Sequence, residues 1–189
     1  MLNILEGFDL ADMGHNSADY LHVLTETMRR AYADRAEHLG DPDFNEGMPL
    51  QRLMDKDYAE TLRASIDMDS ASESSPADFA QIYESEETTH FSIVDKEGNM
   101  VSMTYTLEFG YGSGIVVEGG GYLLNNEMGD FNAVPGVTNR SGQIGTPPNL
   151  IEPEKRMLSS MAPTIVAQDG RPLFAIGSPG GRTIINTTV

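Results

Sequence analysis

In the first third of the chain, apolar side chains recur every three or four residues, with charged side chains between them. This spacing predicts a helix over residues 17–39, with Ser17 as its N-cap and with Gly40 and Pro42 at its end. The same spacing predicts a second helix near residues 49–66. The first part of the chain is therefore expected to be helical.

From Thr88 onward, the pattern changes to the short alternating runs that are typical of strands. Four strands are predicted in two pairs, each around a turn: 90–94 and 100–107 around 95–98, and 161–166 and 172–177 around 169–170. A further short strand is predicted at residues 122–124. Helices first and strands afterwards predict an α+β fold.

Two stretches show neither the helical nor the strand spacing of apolar residues. Residues 67–87 are rich in Ser, Asp, Glu and Ala, and they are expected to form an exposed, flexible linker. Residues 132–157 are rich in Pro, Gly and Asn and predict a long loop. Loops of this length are uncommon unless they cover a functional site.

Charge adds a second distinction between the two parts. The net charge is −17, and residues 1–87 carry 20 acidic and 6 basic side chains, against 9 and 6 in residues 88–189. An acidic surface argues against nucleic acid and against anionic membranes as partners. No apolar run approaches the roughly 20 residues of a membrane helix. The absence of cysteine excludes disulfides and thiolate metal sites.

Thr88 stands where the acidic linker meets the first strand. A threonine hydroxyl is a weak nucleophile, but an N-terminal threonine can use its own α-amino group as the base. Such an amine has a pKa of about 7.7–8.0, near working pH. This chemistry requires cleavage of the Glu87–Thr88 bond. By itself, Thr-Thr-His is more typical of two β-formers that open a strand.

The wider sequence makes the catalytic interpretation specific. The stretch from Thr88 to Gly112 resembles the small-subunit signature of the γ-glutamyltranspeptidases at nearly every position. The resemblance extends over essentially all 189 residues. It includes Leu124–Phe131, Leu158–Ile165 and Gly177–Gly181, and, in the first half, Met1–Glu6, Ala31–Arg35 and Leu39–Phe44.

The resemblance implies an N-terminal-nucleophile hydrolase with a four-layer αββα fold, here incomplete because both ends of the chain read as cut. Residues 1–87 would be the end of a large subunit and residues 88–189 the start of a small one. Self-cleavage between Glu87 and Thr88 would yield a heterodimer. The enzyme would form a γ-glutamyl-enzyme from a donor such as glutathione and pass the acyl group to water, an amino acid or a peptide. No metal or organic cofactor is implied, and relatives of this kind are periplasmic or secreted.

The family motifs also imply roles for individual residues. Thr88 matches the nucleophile and Thr106 the threonine that supports it. The α-ammonium group of the substrate would be held by Glu127 and Asp130, its α-carboxylate by Ser159 and Ser160, and the oxyanion by the backbone N–H groups of Gly180 and Gly181. His90 shares a strand face with Thr88, but a packed strand histidine is expected because the amine already supplies a base.

Two positions depart from the glutathione-type pattern. Glu108 stands where such members often carry asparagine, and it resembles the branch that includes poly-γ-glutamate transpeptidases. Ser141 stands where some members place a lid tyrosine. Three alternatives therefore remain open: a glutaryl or cephalosporin acylase of the same family, a poly-γ-glutamate transpeptidase of the same family, and a non-catalytic folded fragment.

Overall fold

The computed structural model describes residues 1–73, 87–132 and 146–189. The predicted lid position, Ser141, and most of the predicted linker lie outside the described residues. The described chain is a mixture of helices and strands, which confirms the α+β class. It separates into two compact units, one formed by Met1–Ala80 with Val134–Arg156 and the other by Gln81–Ala133 with Met157–Val189. Both units therefore draw on chain from either side of Thr88.

The first unit is helical. Its elements are α1 (Leu2–Leu5), α2 (Leu10–Met13), α3 (Ala18–His38), α4 (Leu50–Met54), α5 (Lys56–Ala64) and a 3₁₀ turn at Pro147–Asn149. None of the described helices is both long and apolar enough to cross a membrane.

Helix α3 confirms the prediction for residues 17–39, since the Ser17 hydroxyl accepts a hydrogen bond from the N–H of Tyr20 at 3.1 Å. The prediction of one continuous helix over 49–66 is wrong. Asp55 adopts an extended conformation with ψ at 137°, and its carboxylate accepts a hydrogen bond from the N–H of Asp57. Asp55 therefore ends α4 and caps α5, a position in which Asp competes well with helical backbone bonding.

The first unit has a small core with a buried carboxylate. Ile4, Leu5, Val23 and Ala59 are buried, and Glu26 of α3 is buried with them. The N–H and hydroxyl of Ser72 both donate to Glu26. The start of the predicted linker is therefore anchored on α3 rather than free.

The second unit is built on two antiparallel hairpins. They are β1 (Thr88–Val94) with β2 (Met100–Thr106) and β3 (Thr164–Gln168) with β4 (Arg171–Ile176). A 3₁₀ turn at Glu127–Asp130, another at Gly181–Thr183, and helix α6 (Ile184–Thr188) complete the described elements. Both predicted hairpins are confirmed, and Asp169 and Gly170 form the second turn with φ angles of 51° and 74°. The strand predicted at 122–124 is wrong, because only an isolated bridge joins Leu123 to Val116.

Strand β2 places its small polar side chains on the more buried face. Ser102, Thr104 and Thr106 are half-buried, whereas Val101, Met103 and Tyr105 are 45–50% exposed. The hydroxyl of Ser102 donates to the carbonyl of Ile176 at 3.0 Å, which joins the two hairpins within this unit. The hydroxyl-lined face of β2 is thus the one turned toward the rest of the unit.

Candidate active site

Thr88 and Thr106 occupy facing positions at the open end of the first hairpin. Thr88 is the first residue of β1, Thr106 is the last of β2, and the register pairs them directly. The turn fixes this register, because the carboxylate of Asp95 accepts hydrogen bonds from the N–H groups of Glu97 and Asn99 at 3.0 and 2.8 Å. The local turn chemistry thereby brings together two residues that lie 18 positions apart.

The bond between Glu87 and Thr88 borders a cleft of about 260 Å³. Glu87 is exposed and Thr88 is half-buried. Gly110 lies against the Glu87 carboxylate, and a Cβ at this position would come within 2.9 Å of Oε2. The cleft is lined by Glu87, Thr88, Thr89, Tyr105, Thr106, Leu107, Phe109 and Gly110. A small molecule could therefore approach Thr88 from this side.

The turn that follows β2 presents Glu108 in a strained conformation. Its φ is 73°, which is uncommon for a residue other than glycine. The Glu108 N–H donates to Thr106 Oγ1 at 2.9 Å. Asn126 holds the turn from the other side, since its Oδ1 accepts from Phe109 N–H and its own N–H donates to the Leu107 carbonyl, both at 3.1 Å. Strain that is held by such bonds is characteristic of functional sites.

Glu108, Glu127 and Asp130 form an acidic cluster, in which one oxygen atom from each lies within 4.8 Å of the others. Glu127 is 8% exposed, and its Oε1 is buried without a hydrogen-bond partner among the residues that the structure describes. Burial, and then the charges of Asp130 and Glu108, raise the pKa of Glu127 to about 7. Three carboxylates in this arrangement suit a cationic group, which would relieve both their repulsion and the unmet hydrogen-bonding capacity of Oε1.

Arg182 connects the glycine turn to this cluster. It is 8% exposed, and its Nη2 lies 3.6 Å from Oδ1 of Asp130. Gly180 and Gly181, which precede it, have φ angles of 127° and 54°, a conformation that other residues rarely adopt. The Gly180 carbonyl accepts hydrogen bonds from the Thr183 N–H and hydroxyl at 3.1 and 2.6 Å. These bonds define the conformation of the turn that carries the two predicted oxyanion donors.

Ser159 and Ser160 lie on the segment that leads into β3. Ser160 is buried at 8% exposure, whereas Ser159 is exposed. The Ser159 hydroxyl accepts a hydrogen bond from the N–H of Met161 at 3.1 Å, which forms a tight turn at this point. One series of contacts joins six of these residues: Thr88, Thr106, Glu108, Glu127, Asp130 and Arg182. The serine pair belongs to the same compact unit.

His90 is engaged away from Thr88. Its Nδ1 lies 2.7 Å from Thr104 Oγ1 and its Nε2 lies 3.1 Å from Ser92 Oγ. Gly177 packs on the ring, and a Cβ there would come within 2.2 Å of Cε1. His90 is therefore a packed strand histidine, as the sequence predicted.

With this geometry established, comparison with known proteins identifies the family. The family model described as gamma-glutamyltranspeptidase matches residues 1–189. The chain belongs to the gamma-glutamyltranspeptidase family. Among curated relatives, the glutathione hydrolase proenzyme of Escherichia coli (strain K12) is 50% identical over 192 residues, which is 100% of this chain and 33% of the relative. The corresponding proenzyme of Pseudomonas aeruginosa is 49% identical, over 91% of this chain and 30% of the relative.

Among solved structures, the gamma-glutamyltranspeptidase from Pseudomonas nitroreducens complexed with L-DON is 57% identical, with a TM-score of 0.48. That match covers 52% of this chain and 51% of the other. The chain spans about one third of the length of the curated relatives that it matches. What the whole protein does is therefore a matter for proposal.

Sequence reasoning within this family missed two residues of the site. Arg182 follows the glycine pair directly, and Asn126 precedes Glu127, so both were adjacent to motif positions. An arginine directly after the predicted oxyanion turn, and an asparagine directly before a predicted site glutamate, were the available signals. Neither signal specifies a partner, because the contacts to Asp130 and to the 107–109 turn are made by residues far apart in the chain.

Proposed function

We propose that this chain carries the processing junction and much of the catalytic site of a γ-glutamyl transferase and hydrolase. The activity would be the transfer of a γ-glutamyl group from glutathione or a related amide to water, an amino acid or a peptide. The observation that carries the proposal is the pairing of Thr88 with Thr106, next to an acidic cluster that suits a cationic group.

Self-cleavage after Glu87 would leave residues 1–87 at the end of a large subunit and Thr88 at the start of a small one. The new α-amine of Thr88 would then be the base for its own hydroxyl. Thr106 Oγ1 accepts the Glu108 N–H, so its single O–H proton remains to donate to a neighbouring oxygen. Thr106, at the facing register position, would thus orient Thr88 for attack.

In the proposed reaction, Thr88 Oγ adds to the γ-carbonyl carbon of the donor, and its proton passes to the Thr88 amine. The N–H groups of Gly180 and Gly181 would stabilise the oxyanion, since a glycine turn lets backbone donors approach it closely. The intermediate collapses as the C–N bond breaks, and the amine returns the proton to the leaving nitrogen. Water or an amino acid then attacks the γ-glutamyl ester on Thr88, with proton transfer again through the amine.

Substrate selection would rest on the two ends of the glutamyl group. Glu127 and Asp130 would bind its α-ammonium, with Glu108 adding negative charge, and charge-assisted hydrogen bonds of this kind are strong. Ser159 and Ser160 would supply hydroxyl donors to its α-carboxylate. A glutaryl group lacks the ammonium and would leave the cluster uncompensated, which favours γ-glutamyl transfer over the acylase alternative.

For the complete enzyme we propose the four-layer αββα arrangement of N-terminal-nucleophile hydrolases. The support within this chain is the first hairpin, whose apolar side chains Val101, Met103 and Tyr105 are largely exposed. In a layered fold, that face would pack against a further layer, while the face with Ser102 and Thr104 would stay with the second hairpin.

The test is direct detection of the acyl-enzyme in the full-length protein. Brief reaction with a γ-glutamyl chromogenic amide, followed by acid quench and peptide mapping, should place one γ-glutamyl group on Thr88. A glutaryl amide should label Thr88 much less. Preferential labelling by the glutaryl amide would favour the acylase, and turnover of the γ-glutamyl amide with the acyl group on another residue would exclude this mechanism. A protein in which Thr88 never becomes an N-terminus would favour the non-catalytic alternative.

A further inference from the structure

The helical unit contains chain from both sides of the predicted cleavage point. Residues 36–45, at the end of α3 and in the loop after it, precede Thr88, whereas residues 146–156 follow it, and both belong to the same compact unit. Every contact between these two segments is now made within one chain. If the Glu87–Thr88 bond is cut, the same contacts become contacts between two separate chains.

The most extensive of these contacts is made by Asp41. Its side chain is 1% exposed and accepts hydrogen bonds from the backbone N–H, Nε and Nη2 of Arg156 at 2.8, 3.0 and 2.5 Å. The N–H of Asp43 donates to it as well, at 3.1 Å. Bonding from Arg156 holds the pKa of Asp41 well below its usual range. A buried carboxylate that accepts hydrogen bonds from two nitrogens of one guanidinium group requires the planar geometry of arginine, which lysine does not reproduce.

Close approach of the two backbones adds a steric requirement. A Cβ on Gly40 would lie 2.1 Å from the carbonyl oxygen of Pro148, so only glycine allows this contact. The same carbonyl accepts a hydrogen bond from Asn45 Nδ2 at 3.0 Å. The Thr146 hydroxyl donates to the Ala36 carbonyl at the end of α3. Residues 146–148 are therefore held by hydrogen bonds with Ala36 and Asn45, in a close fit to Gly40 that an added Cβ would disturb.

Lys155 completes the contact. Its side chain is buried, its Nζ donates to Glu152 Oε1 at 2.8 Å, and it lies 5.6 Å from the centre of the Phe44 ring. A buried ammonium over an aromatic face contributes a cation–π interaction. Segment 146–156 is thus attached to loop 36–45 by charge, backbone fit and packing together.

We propose that this attachment, centred on Asp41 and Arg156, is a principal non-covalent link between the two chains of the processed enzyme. The proposal rests on the self-cleavage proposed above. In the uncut chain, the covalent tether keeps the two segments at a high effective concentration, so a weakened contact still forms. After cleavage the two segments are no longer joined by this covalent tether. A substitution that weakens the contact should then cause the two chains to separate.

The experiment compares processed full-length protein with the same variants in an uncut Thr88→Ala background. Chain dissociation would be followed by size-exclusion chromatography and native mass spectrometry across a urea series. Arg156→Ala should raise the dissociation constant of the two chains at least tenfold, and Gly40→Ala should do the same without a change of charge. In the uncut background, both variants should elute as one folded chain with an unchanged circular dichroism spectrum. Arg156→Lys, which keeps the charge but loses the fork, should lie between wild type and Arg156→Ala.

Asp43→Asn is the matched control. Asp43 contacts the same arginine, but its side chain is 76% exposed, so the dissociation constant should stay within twofold of wild type. Equal dissociation constants for wild type, Arg156→Ala and Gly40→Ala would overturn the proposal. If Arg156→Ala unfolds even in the uncut background, Arg156→Lys is compared with wild type instead. Equal dissociation constants for Arg156→Lys and wild type would then overturn the proposal. A wild-type protein that remains a single chain would instead show that the proposed self-cleavage is wrong.

Discussion

Among the described residues, each unit buries one glutamate, and the two glutamates have opposite surroundings. Glu26 in the helical unit accepts hydrogen bonds from Ser72 and Arg30, whereas Glu127 in the hairpin unit has a buried oxygen with no hydrogen-bond partner in the described part of the chain. Burial alone would raise the pKa of both. The bonds to Ser72 and Arg30 outweigh burial at Glu26 and lower its pKa to about 2. At Glu127, burial and the neighbouring carboxylates act together, and the pKa rises to about 7.

This difference separates a structural carboxylate from a site that requires a ligand. A buried charge that has its partners contributes to one fixed conformation, and removing one partner is costly. A carboxylate that is buried beside two others favours its protonated form or the binding of a cation. Variants of the full-length protein can distinguish a structural role for Glu26 from a ligand-binding role for the acidic cluster.

The largest effect is expected at Glu26. Glu26→Ala removes the carboxylate that accepts hydrogen bonds from Arg30 and from both the N–H and the hydroxyl of Ser72, although Arg30 keeps its bonds to Ser65. The free energy of unfolding should therefore fall by about 3–5 kcal/mol. Hydrogen exchange along α3 in native protein would locate the loss. Glu6→Ala is the control, because the pair of Glu6 with Lys56 is largely exposed and should contribute less than about 1 kcal/mol. Equal effects at the two positions would contradict a structural role for Glu26.

Asp130 should matter for substrate rather than for folding. In the proposed site, Asp130→Ala would remove a charge-assisted bond to the substrate ammonium, worth about 2 kcal/mol, and should lower kcat/KM for a γ-glutamyl amide about 30-fold. Self-cleavage should continue. Glu118→Ala, at an exposed position of the same unit, should leave kcat/KM unchanged. Unchanged kinetics in Asp130→Ala would remove Asp130 from the site.

The pKa values of the two glutamates predict opposite responses to pH. Glu26 should contribute stability that is present above about pH 4.5 and lost as pH falls through about 2. Glu127 has a raised pKa, so its contribution is present below about pH 4.5 and lost as pH rises through about 7. Between those pH limits, the free energy of unfolding changes by at most about 1.4 kcal/mol for each pH unit. Glu127→Gln should therefore be more stable than wild type at pH 8, measured by urea unfolding, and the gap should close near pH 5.

The raised pKa of Glu127 also predicts that binding of a substrate ammonium group displaces a proton from this carboxyl group. An ammonium group requires ionised Glu127, so binding of L-glutamate, the hydrolysis product, should release close to one proton at pH 6 and close to none at pH 8. Isothermal calorimetry in two buffers of different ionisation enthalpy measures this release. Glu127→Gln should abolish the pH dependence. Proton uptake on binding in the wild-type enzyme would contradict the role given to Glu127.

The smallest effect is expected at Glu108, which adds charge without being fully buried. Glu108→Asn should shrink the preference for γ-glutamyl over glutaryl amides about fivefold, with self-cleavage unchanged. The ratio of kcat/KM for the two amides, in wild type and variant, is the measurement. A ratio that the substitution leaves untouched, or a wild type that prefers glutaryl amides, would remove Glu108 from substrate selection.

The sequence predicted the helix start and the turns that depend on side chains close to them in the chain. The cap at Ser17 and the turns at Asp95 and Asp169 were readable from the sequence, and the first of these turns sets the register that pairs Thr88 with Thr106. The break at Asp55 was missed because its side chain competes with the helical backbone, and a helical period on both sides hides that competition.

The candidate site was predictable only in part. Family motifs pointed to Glu108, Glu127 and Asp130, and the structure brings their oxygens together. The contact of Asp130 with Arg182 was not predictable, since the two residues lie 52 positions apart. The same holds in the helical unit for Glu26 and Ser72, which lie 46 positions apart. Contacts over such separations depend on packing, which no local pattern encodes.

The central claim is that Thr88 becomes an N-terminus and then the nucleophile. Intact mass and N-terminal sequencing of the purified full-length protein test it most directly. The wild type should give two pieces, the second beginning Thr88-Thr89-His90, and Thr88→Ala should remain one inactive chain. A wild type that stays a single chain while it hydrolyses a γ-glutamyl amide would contradict the account, because no free amine would then be present to serve as the base.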